Sequence, residues 1–410
     1  MNKVWIQESI SERLGGACFE QKLPYKFEAI KQAKCDFIEK NPKLPLLDFG
    51  IGEPQEVPMD CAIHAMKEAC GVLEYNGYAD NGAAFFKESV MEFMQSELNV
   101  ALTQQEILPI LGIKSGLALL AGALINPGDY VACTVPGYGV FSTQTAYFGG
   151  NVYALPLKEE NHFLPDLEAI PEEQKRKIKI ISLNYPNNPT GAVASDRFYE
   201  KLVSMALHYH WIIVQDAAYG TLSFEKPLSI LQVPEAKQCC VELHSMSKGF
   251  NMTGWRLGWM CGNATLIKAC SFYKNNCDSG QFLPIQKGAQ TALRHAGIWL
   301  RQQRVKYENR LKNLERLLSR KNFHCCQSKA GFFLYVLLPK KITSKHNEGT
   351  MVFKTAEDFS AWLLKTLGIC TVAWDEVGHY LRFAVTFPEQ EEASIFAELE
   401  KRLSPFVFES

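Results

Sequence analysis

Residues Val241-Glu-Leu-His-Ser-Met-Ser-Lys-Gly-Phe-Asn-Met-Thr-Gly-Trp-Arg-Leu-Gly-Trp-Met260 set one lysine, Lys248, among small and apolar neighbours, with Ser245 and Ser247 before it and Arg256 eight positions after it. An amine in such surroundings loses proton affinity, because burial disfavours its charged form, and a neutral amine is the nucleophile that condenses with carbonyl compounds. Arg256 cannot neutralise itself in that way and needs an anion. Its planar fork beside two hydroxyls suits a phosphate. Read alone, Ser-x-Ser-Lys also fits an ordinary loop lysine and a core arginine paired with a carboxylate.

Working outward, the stretch sits in a chain of 410 residues, 47% hydrophobic, with a formal net charge of -1. That length suits two to three domains with a large core. Without a basic block, nucleic acid is a poor candidate partner, and small-molecule chemistry is the better expectation. Met1 to Ser11 lacks the apolar core of a signal peptide, and no apolar run reaches membrane-spanning length, so a soluble, cytoplasmic protein without a membrane partner is expected. The thirteen cysteines include the adjacent pairs Cys239-Cys240 and Cys325-Cys326 but no Cys-x-x-Cys. They are expected to be reduced, mostly buried small hydrophobes, and no metal site is expected.

Along the chain, residues 1–24 read as an arm. Tyr25 to Glu39 has Phe27, Ile30, Ala33 and Phe37 on one helical face, and Leu46 to Ile51 reads as a strand running into the Gly50-Ile-Gly-Glu-Pro54 turn. Helices are expected at about Asp60 to Cys70 and Ala84 to Leu98, around a turn-rich loop from Tyr75 to Gly82. From Ile107 on, short apolar runs alternate with helical ones. Strands are expected at Ile107 to Leu111, Asp129 to Thr134, Asn151 to Leu155, Lys179 to Leu183, Trp211 to Gln215 and Val241 to His244, with an apolar helix from Leu117 to Leu124. Uniformly apolar strands separated by helices indicate an α/β fold, a mostly parallel sheet covered by helices on both faces. A helical stretch from Thr291 to Lys321 leads to a smaller α+β layer. That layer reads as strand (Gly331 to Leu338), charged loop (Lys340 to Thr350), helix (Ala356 to Leu367), two strands (Ile369 to Ala373 and Tyr380 to Val385) and a terminal helix (Gln390 to Leu403).

In parallel sheets the functional loops lie at the carboxyl ends of strands, and four polar clusters fall there. Lys114 and Ser115 open a helix whose free amides attract phosphate. Pro136-Gly-Tyr138 offers an aromatic face. Asn184-Tyr-Pro-Asn-Asn-Pro-Thr-Gly191 displays amides on a loop fixed by prolines, and Asp216-Ala-Ala-Tyr219 pairs a carboxylate with a phenol. Each has a plain reading: Asp216 as a helix cap, Tyr219 as core, Lys114 as a surface charge, Asn188 as a turn residue. One ligand would use them all. Pyridoxal 5'-phosphate needs a lysine for its aldehyde, donors for its phosphate, a stacking aromatic, hydrogen bonds to its phenolic oxygen and a carboxylate beside its ring nitrogen.

These motifs, with Leu381-Arg-Phe-Ala-Val385, stand in the order and at the spacings of the class I/II aminotransferases, and over nearly its whole length the chain resembles that family of fold-type I PLP-dependent enzymes. More narrowly, Tyr25-Lys-Phe-Glu-Ala-Ile-Lys, Phe250-Asn-Met-Thr-Gly-Trp-Arg256 and Asp278-Ser-Gly-Gln-Phe are similar to the branch that acts on LL-diaminopimelate. The resemblance implies that Lys248 bonds the cofactor aldehyde and moves the Cα proton, that Asp216 pairs with the ring nitrogen, and that Asn188 and Tyr219 hold the phenolic oxygen. It further implies that Tyr138 stacks on the ring, that Ser245, Arg256 and the Ile113-Lys114 turn hold the phosphate, and that Tyr78 (or Tyr75) reaches over from the second subunit of a homodimer. Arg382 and Gly52 would receive the substrate carboxylate together with Asn188. Tyr25, Asn276 and Trp374 are candidates for its distal end. Residues 25–60 and 295–410 would form a small domain that closes over a large PLP-binding domain at 61–294. The expected reaction is transamination between LL-diaminopimelate with 2-oxoglutarate and tetrahydrodipicolinate with glutamate, part of lysine and peptidoglycan precursor synthesis. Aspartate, alanine or aromatic aminotransferases, a C-S β-lyase and a non-catalytic PLP-binding regulator are the alternatives.

Overall fold

The computed structural model describes residues 4–21, 26–345 and 349–409. Its strands, in chain order, are β1 (Leu47–Asp48), β2 (Ile107–Ile110), β3 (Tyr130–Val135), β4 (Asn151–Pro156), β5 (Ile178–Asn184), β6 (Ile212–Asp216), β7 (Cys240–Ser245), β8 (Gly258–Gly262), β9 (Cys325–Cys326), β10 (Phe333–Leu337), β11 (Lys341–Ser344), β12 (Thr350–Met351), β13 (Ile369–Cys370), β14 (Val372–Trp374), β15 (Tyr380–Ala384) and β16 (Phe406–Glu409). Seven of them form one sheet in the order β2-β8-β7-β6-β5-β3-β4. Six point the same way, and β8, antiparallel to both its neighbours β7 and β2, is the one reversed strand. The central strands are buried along almost their whole length because helices cover both faces, which is why β5 and β6 read as mostly apolar runs that turn polar at their ends. Lys179, partly buried on β5, donates to Asp129 at 2.6 Å and to the Leu124 carbonyl at 2.6 Å, so its charge has partners.

Register decides where the chemistry falls. Asn184 stands opposite Asp216, Asp216 opposite Leu243, and Ser245 opposite Gly258. The last residues of β5, β6 and β7 therefore share one edge of the sheet.

Beyond residue 323 the chain builds a four-stranded antiparallel sheet, β14-β15-β10-β9, and a three-stranded one, β12-β11-β16. Here Leu334, Val336, Leu381 and Phe383 pack with Leu311, Leu314 and Leu318 of the long helix Ala296–Ser319 and with Leu363 of helix Ala356–Leu367. The amino-terminal segment returns to this part, because β1 pairs in parallel with β13, Leu47 opposite Ile369 and Asp48 opposite Cys370.

The α/β class holds, and several expectations need correction. The strand expected from Leu46 to Ile51 is reduced to two paired residues. The helix expected from Leu117 begins at Ile113. The stretch from Thr291 to Lys321 is two helices, Leu283–Arg294 and Ala296–Ser319, separated at His295. Lys340 to Thr350, expected as a loop, contains β11, whose Ile342 is fully buried while its neighbours face outward. Ile369 to Ala373 splits at Thr371 into β13 and β14, which serve different sheets. All thirteen cysteines are free thiols, seven of them buried. No helix among the described residues is long and apolar enough to cross a membrane.

Candidate active site

Lys248 lies on the connection from β7 to β8, and that connection is held down by its own side chains. Met246, Phe250, Met252 and Leu257 are each fully buried, and burying one such side chain stabilises by about 1.5–3 kcal/mol, so the lysine's backbone is fixed from both sides. Phe93 meets Phe250 edge-on at 6.1 Å and Trp259 at 5.8 Å, tying the same connection to helix Ala84–Leu98.

The amine reaches a cavity of about 510 Å³ lined by Gly52, Ile113, Lys114, Tyr138, Asn188, Asp216, Tyr219, Ser245, Arg256 and Arg382 as well as Lys248. Its Nζ donates to the Gly52 carbonyl at 2.6 Å. Burial brings its pKa down to about 8; Glu53 and Asp216 oppose that shift, and the Arg382 and Arg256 cations reinforce it. Below pH 8 the amine is mainly charged and above it mainly neutral. Capture of pyridoxal phosphate by cofactor-stripped protein is therefore expected to accelerate through pH about 8, read from the absorbance change. A rate still climbing towards the ordinary lysine range would show that the amine is not perturbed.

Asp216 closes β6 with 4% of its surface exposed, and one oxygen accepts from the Ala218 amide at 3.0 Å. Burial pushes its pKa up to about 6, against the pull of that amide, Lys248 and His244. A carboxylate held in this way favours a cationic partner. Behind it runs a continuous polar chain: Asn184 Nδ2 donates to the Asp216 carbonyl at 3.0 Å, the Asn188 amide donates to Asn184 Oδ1 at 2.9 Å, and Arg382 Nη1 donates to Asn188 Oδ1 at 2.9 Å.

Arg382, on β15, is 1% exposed, and its second amino group donates to the Gly50 carbonyl at 2.9 Å. The guanidinium lies 4.2 Å from the centre of the Phe333 ring. Its Nε has no hydrogen-bond partner, and among the described residues it forms no ion pair. Burial lowers its pKa to about 10. A buried cation with an idle donor is built to receive an anion in a bidentate pair. Tyr219 is 6% exposed, packed edge-on against Phe332 at 5.5 Å and Phe333 at 5.4 Å, and burial raises its phenol well above the ordinary value.

A second anion seat lies where helix Ile113–Leu124 begins. Gly112 has φ 82°, which opens the helix, and a Cβ there would come within 2.4 Å of Arg256 Nη2. Arg256 itself takes φ 53° and donates to the Thr253 carbonyl at 2.6 Å. Ser245 accepts from the Ser247 amide at 3.0 Å, which leaves its hydroxyl proton for a ligand. Amine, isolated carboxylate, aromatic Tyr138 and phosphate seat open on the same cavity, so the residues fit pyridoxal phosphate.

The other expected positions lie elsewhere. Tyr78 is 85% exposed and does not line this chain's cavity. Asn276 is exposed and donates to the Phe272 carbonyl at 3.5 Å, away from the cavity. Trp374 is 6% exposed and lines an adjoining cavity with Tyr138 and Asp216. Tyr25 falls outside the described residues. Sequence reasoning gave no role to Asn184, Glu53 or Phe333. Asn184 opens the Asn-Tyr-Pro-Asn-Asn motif and was within reach, whereas nothing in an apolar strand marks Phe333 as the floor beneath Arg382.

Fold and cavity together define a PLP-dependent aminotransferase, and residues 45–398 match the model of the family described as aminotransferase class I and II. The chain belongs to that family. It is 46% identical over 392 residues to a protein of Methanocaldococcus jannaschii named LL-diaminopimelate aminotransferase, covering 95% of this chain and 92% of that one. A Methanococcus maripaludis protein of the same name is 40% identical, covering 99% of each. Among solved structures, substrate-bound BacF from Bacillus subtilis superposes with a TM-score of 0.87 at 28% identity, over 96% of this chain and 98% of that chain.

Proposed function

We propose that this aminotransferase interconverts LL-diaminopimelate plus 2-oxoglutarate with tetrahydrodipicolinate plus glutamate, a step towards lysine and peptidoglycan. The observation that carries the chemistry is the unpaired, buried guanidinium of Arg382 in the same cavity as Lys248 and Asp216. The relatives' names support the substrate, as does a lining that holds both signs of charge, with Lys31 and Lys34 beside Glu53, for the second amino-carboxylate of a symmetric diamino acid.

Pyridoxal phosphate, when bound, supplies an aldehyde for the amine and a ring that draws electrons from the substrate Cα. Arg382 grips the α-carboxylate and fixes the Cα–H direction, with Asn188 and Gly52 completing that seat. Lys248, whose pKa burial lowers to about 8, has its neutral form within reach near neutral pH and would take up and return the substrate Cα proton. Asp216 would keep a proton on the ring nitrogen, and Tyr219 with Asn188 would donate to the ring oxygen. Ser245, Arg256 and the amides at Ile113 and Lys114 hold the phosphate.

Residues 61–294 act as the large domain in this reading, with 25–60 and 295–410 as a small domain that closes over the substrate and 1–24 as an arm. The working form is a cytoplasmic homodimer in which Tyr78 completes the partner's phosphate seat. Supporting this, the loop bearing Tyr78 is hydrogen-bonded to the segment bearing exposed Phe272 and Phe282, through Asn81 to Asn275 and Ala79 to Ser279. A single-chain mass in sedimentation velocity would remove the shared site.

A donor panel read by glutamate production tests the substrate. Strong turnover of LL-diaminopimelate is expected; turnover of aspartate with none of LL-diaminopimelate would replace it by an aspartate aminotransferase. Arg382→Lys keeps the charge but loses the fork, so kcat/KM for the amino donor is expected to fall by about 10- to 100-fold, the scale of one charge-assisted hydrogen bond or slightly more. An unchanged kcat/KM would place the carboxylate elsewhere.

A further inference from the structure

Away from the cavity, one cluster of metal-ligating side chains takes no part in the chemistry above. Glu159 stands in the short 3-10 turn Glu159–Asn161 that follows β4. His324 and Cys326 lie two positions apart at β9, the spacing that turns two side chains to one side of a strand. A ring nitrogen, a carboxylate oxygen and a thiol sulfur from these three residues all lie within 4.8 Å of one another. His324 Nε2 is 2.8 Å from Glu159 Oε1, the Tyr380 hydroxyl donates to Glu159 Oε2 at 3.4 Å, and the Cys326 thiol lies against the same carboxylate. Tyr380 is held in turn by a stacked Tyr335 at 4.4 Å, so the carboxylate is oriented from behind. Cys326 is 1% exposed, while the His324 and Glu159 side chains are 47% and 39% exposed. An ion can therefore arrive from solvent at the imidazole and carboxylate and finish on a buried sulfur.

We propose that Glu159, His324 and Cys326 bind one divalent transition-metal ion of the zinc type and that the ion straps the turn after β4 to β9. The donor set selects the ion. Calcium and magnesium take oxygen ligands, whereas one thiolate, one imidazole and one carboxylate suit a borderline ion in a tetrahedral site with water as the fourth ligand. Such a site separates neighbouring ligand atoms by about 3.5 Å, so the cluster needs only to open its histidine–glutamate contact and draw in the sulfur. Binding exchanges the thiol proton for the metal–sulfur bond, and the proton leaves to solvent. No electron moves. Because Glu159 follows a strand of the seven-stranded sheet while His324 and Cys326 border the four-stranded one, the ion would join the two sheets. The plain competitor is a histidine–glutamate hydrogen bond that needs no metal, and it predicts no sulfur ligand.

The test uses tag-free holoprotein loaded with zinc and dialysed, and it reads binding rather than turnover, so it stands apart from the assigned reaction. The expected result is one zinc per chain, with X-ray absorption at the zinc edge showing one sulfur at about 2.3 Å and lighter ligands at about 2.0–2.1 Å. Cys326→Ser is expected to lose the sulfur shell. Glu159→Gln, on the exposed side where folding is not at risk, is expected to weaken zinc binding at least about tenfold and to abolish the zinc-induced rise in unfolding temperature. Zinc lost on dialysis from the unaltered protein, a sulfur shell that persists in Cys326→Ser, or equal affinity in Glu159→Gln would each overturn the site.

Discussion

Lys248→Ala is expected to lose transamination by about 10⁴-fold or more, because the proposed function gives this residue both the bond to the cofactor and the movement of the Cα proton. The effect should be confined to chemistry. The fold already disfavours this amine's charge, lowering its pKa to about 8, and the hydrogen bond lost with it is the one to the Gly52 carbonyl. The neighbouring anchors Met246 and Phe250 are untouched. The measurement is glutamate formation from 2-oxoglutarate alongside circular dichroism and thermal unfolding. A folded variant with activity within tenfold of the parent would assign the proton transfer to another residue.

Asp216→Asn carries the second largest effect, and it divides stability from function. In the proposed function the carboxylate's charge would be matched by a protonated ring nitrogen, and an amide could not replace that match. Loss of one such preorganised electrostatic contact is worth about 10²–10³ in kcat. Without cofactor the sign reverses. The folded protein holds this carboxyl at a pKa of about 6 against an ordinary 3.8, so its ionisation opposes folding. Stability from this group is greatest when it is protonated, is lost as pH rises from about 4 to 6, and stays lost above that. The shift corresponds to roughly 3 kcal/mol, so cofactor-stripped Asp216→Asn is expected to be more stable than its parent at pH 8 by about 2–3 kcal/mol, with the gain shrinking below pH 6. A stripped variant that melts below the parent at pH 8 would show that the burial penalty is already compensated.

How much of this was legible in the sequence follows from where each signal is stored. The strands β3, β5, β6 and β7 were readable because strands covered on both faces demand mostly apolar runs, and the residue after each run is where a loop must carry polar groups. Asp216 was singled out by that logic, and Lys248 by its small and apolar neighbours. The strand β8 escaped it: Gly258 to Gly262 continues an apolar run already begun, and its role is set by pairing with Ile107 to Ile110, far away in the chain. The small strands escaped for a related reason. Only Ile342 of β11 is fully buried, and its partners β12 and β16 are short, so no period of two had room to appear. The idle donor on Arg382 is a matter of three-dimensional surroundings. Sequence marks the arginine, but that its Nε is left without a hydrogen-bond partner is known only once Gly50, Asn188 and Phe333 are seen around it.

The pairing of Leu47 with Ile369 has a consequence for how the molecule is made. Ribosomes emit about 5–20 residues per second, so the amino-terminal segment waits many seconds for its strand partner while the central sheet is already complete. During that wait Phe49, fully buried in the finished protein, must be shielded by something else, and a message cut short before codon 369 yields a protein whose opening segment never docks. Such truncated products, which also lack Arg382, should be found with chaperones and without a finished cavity.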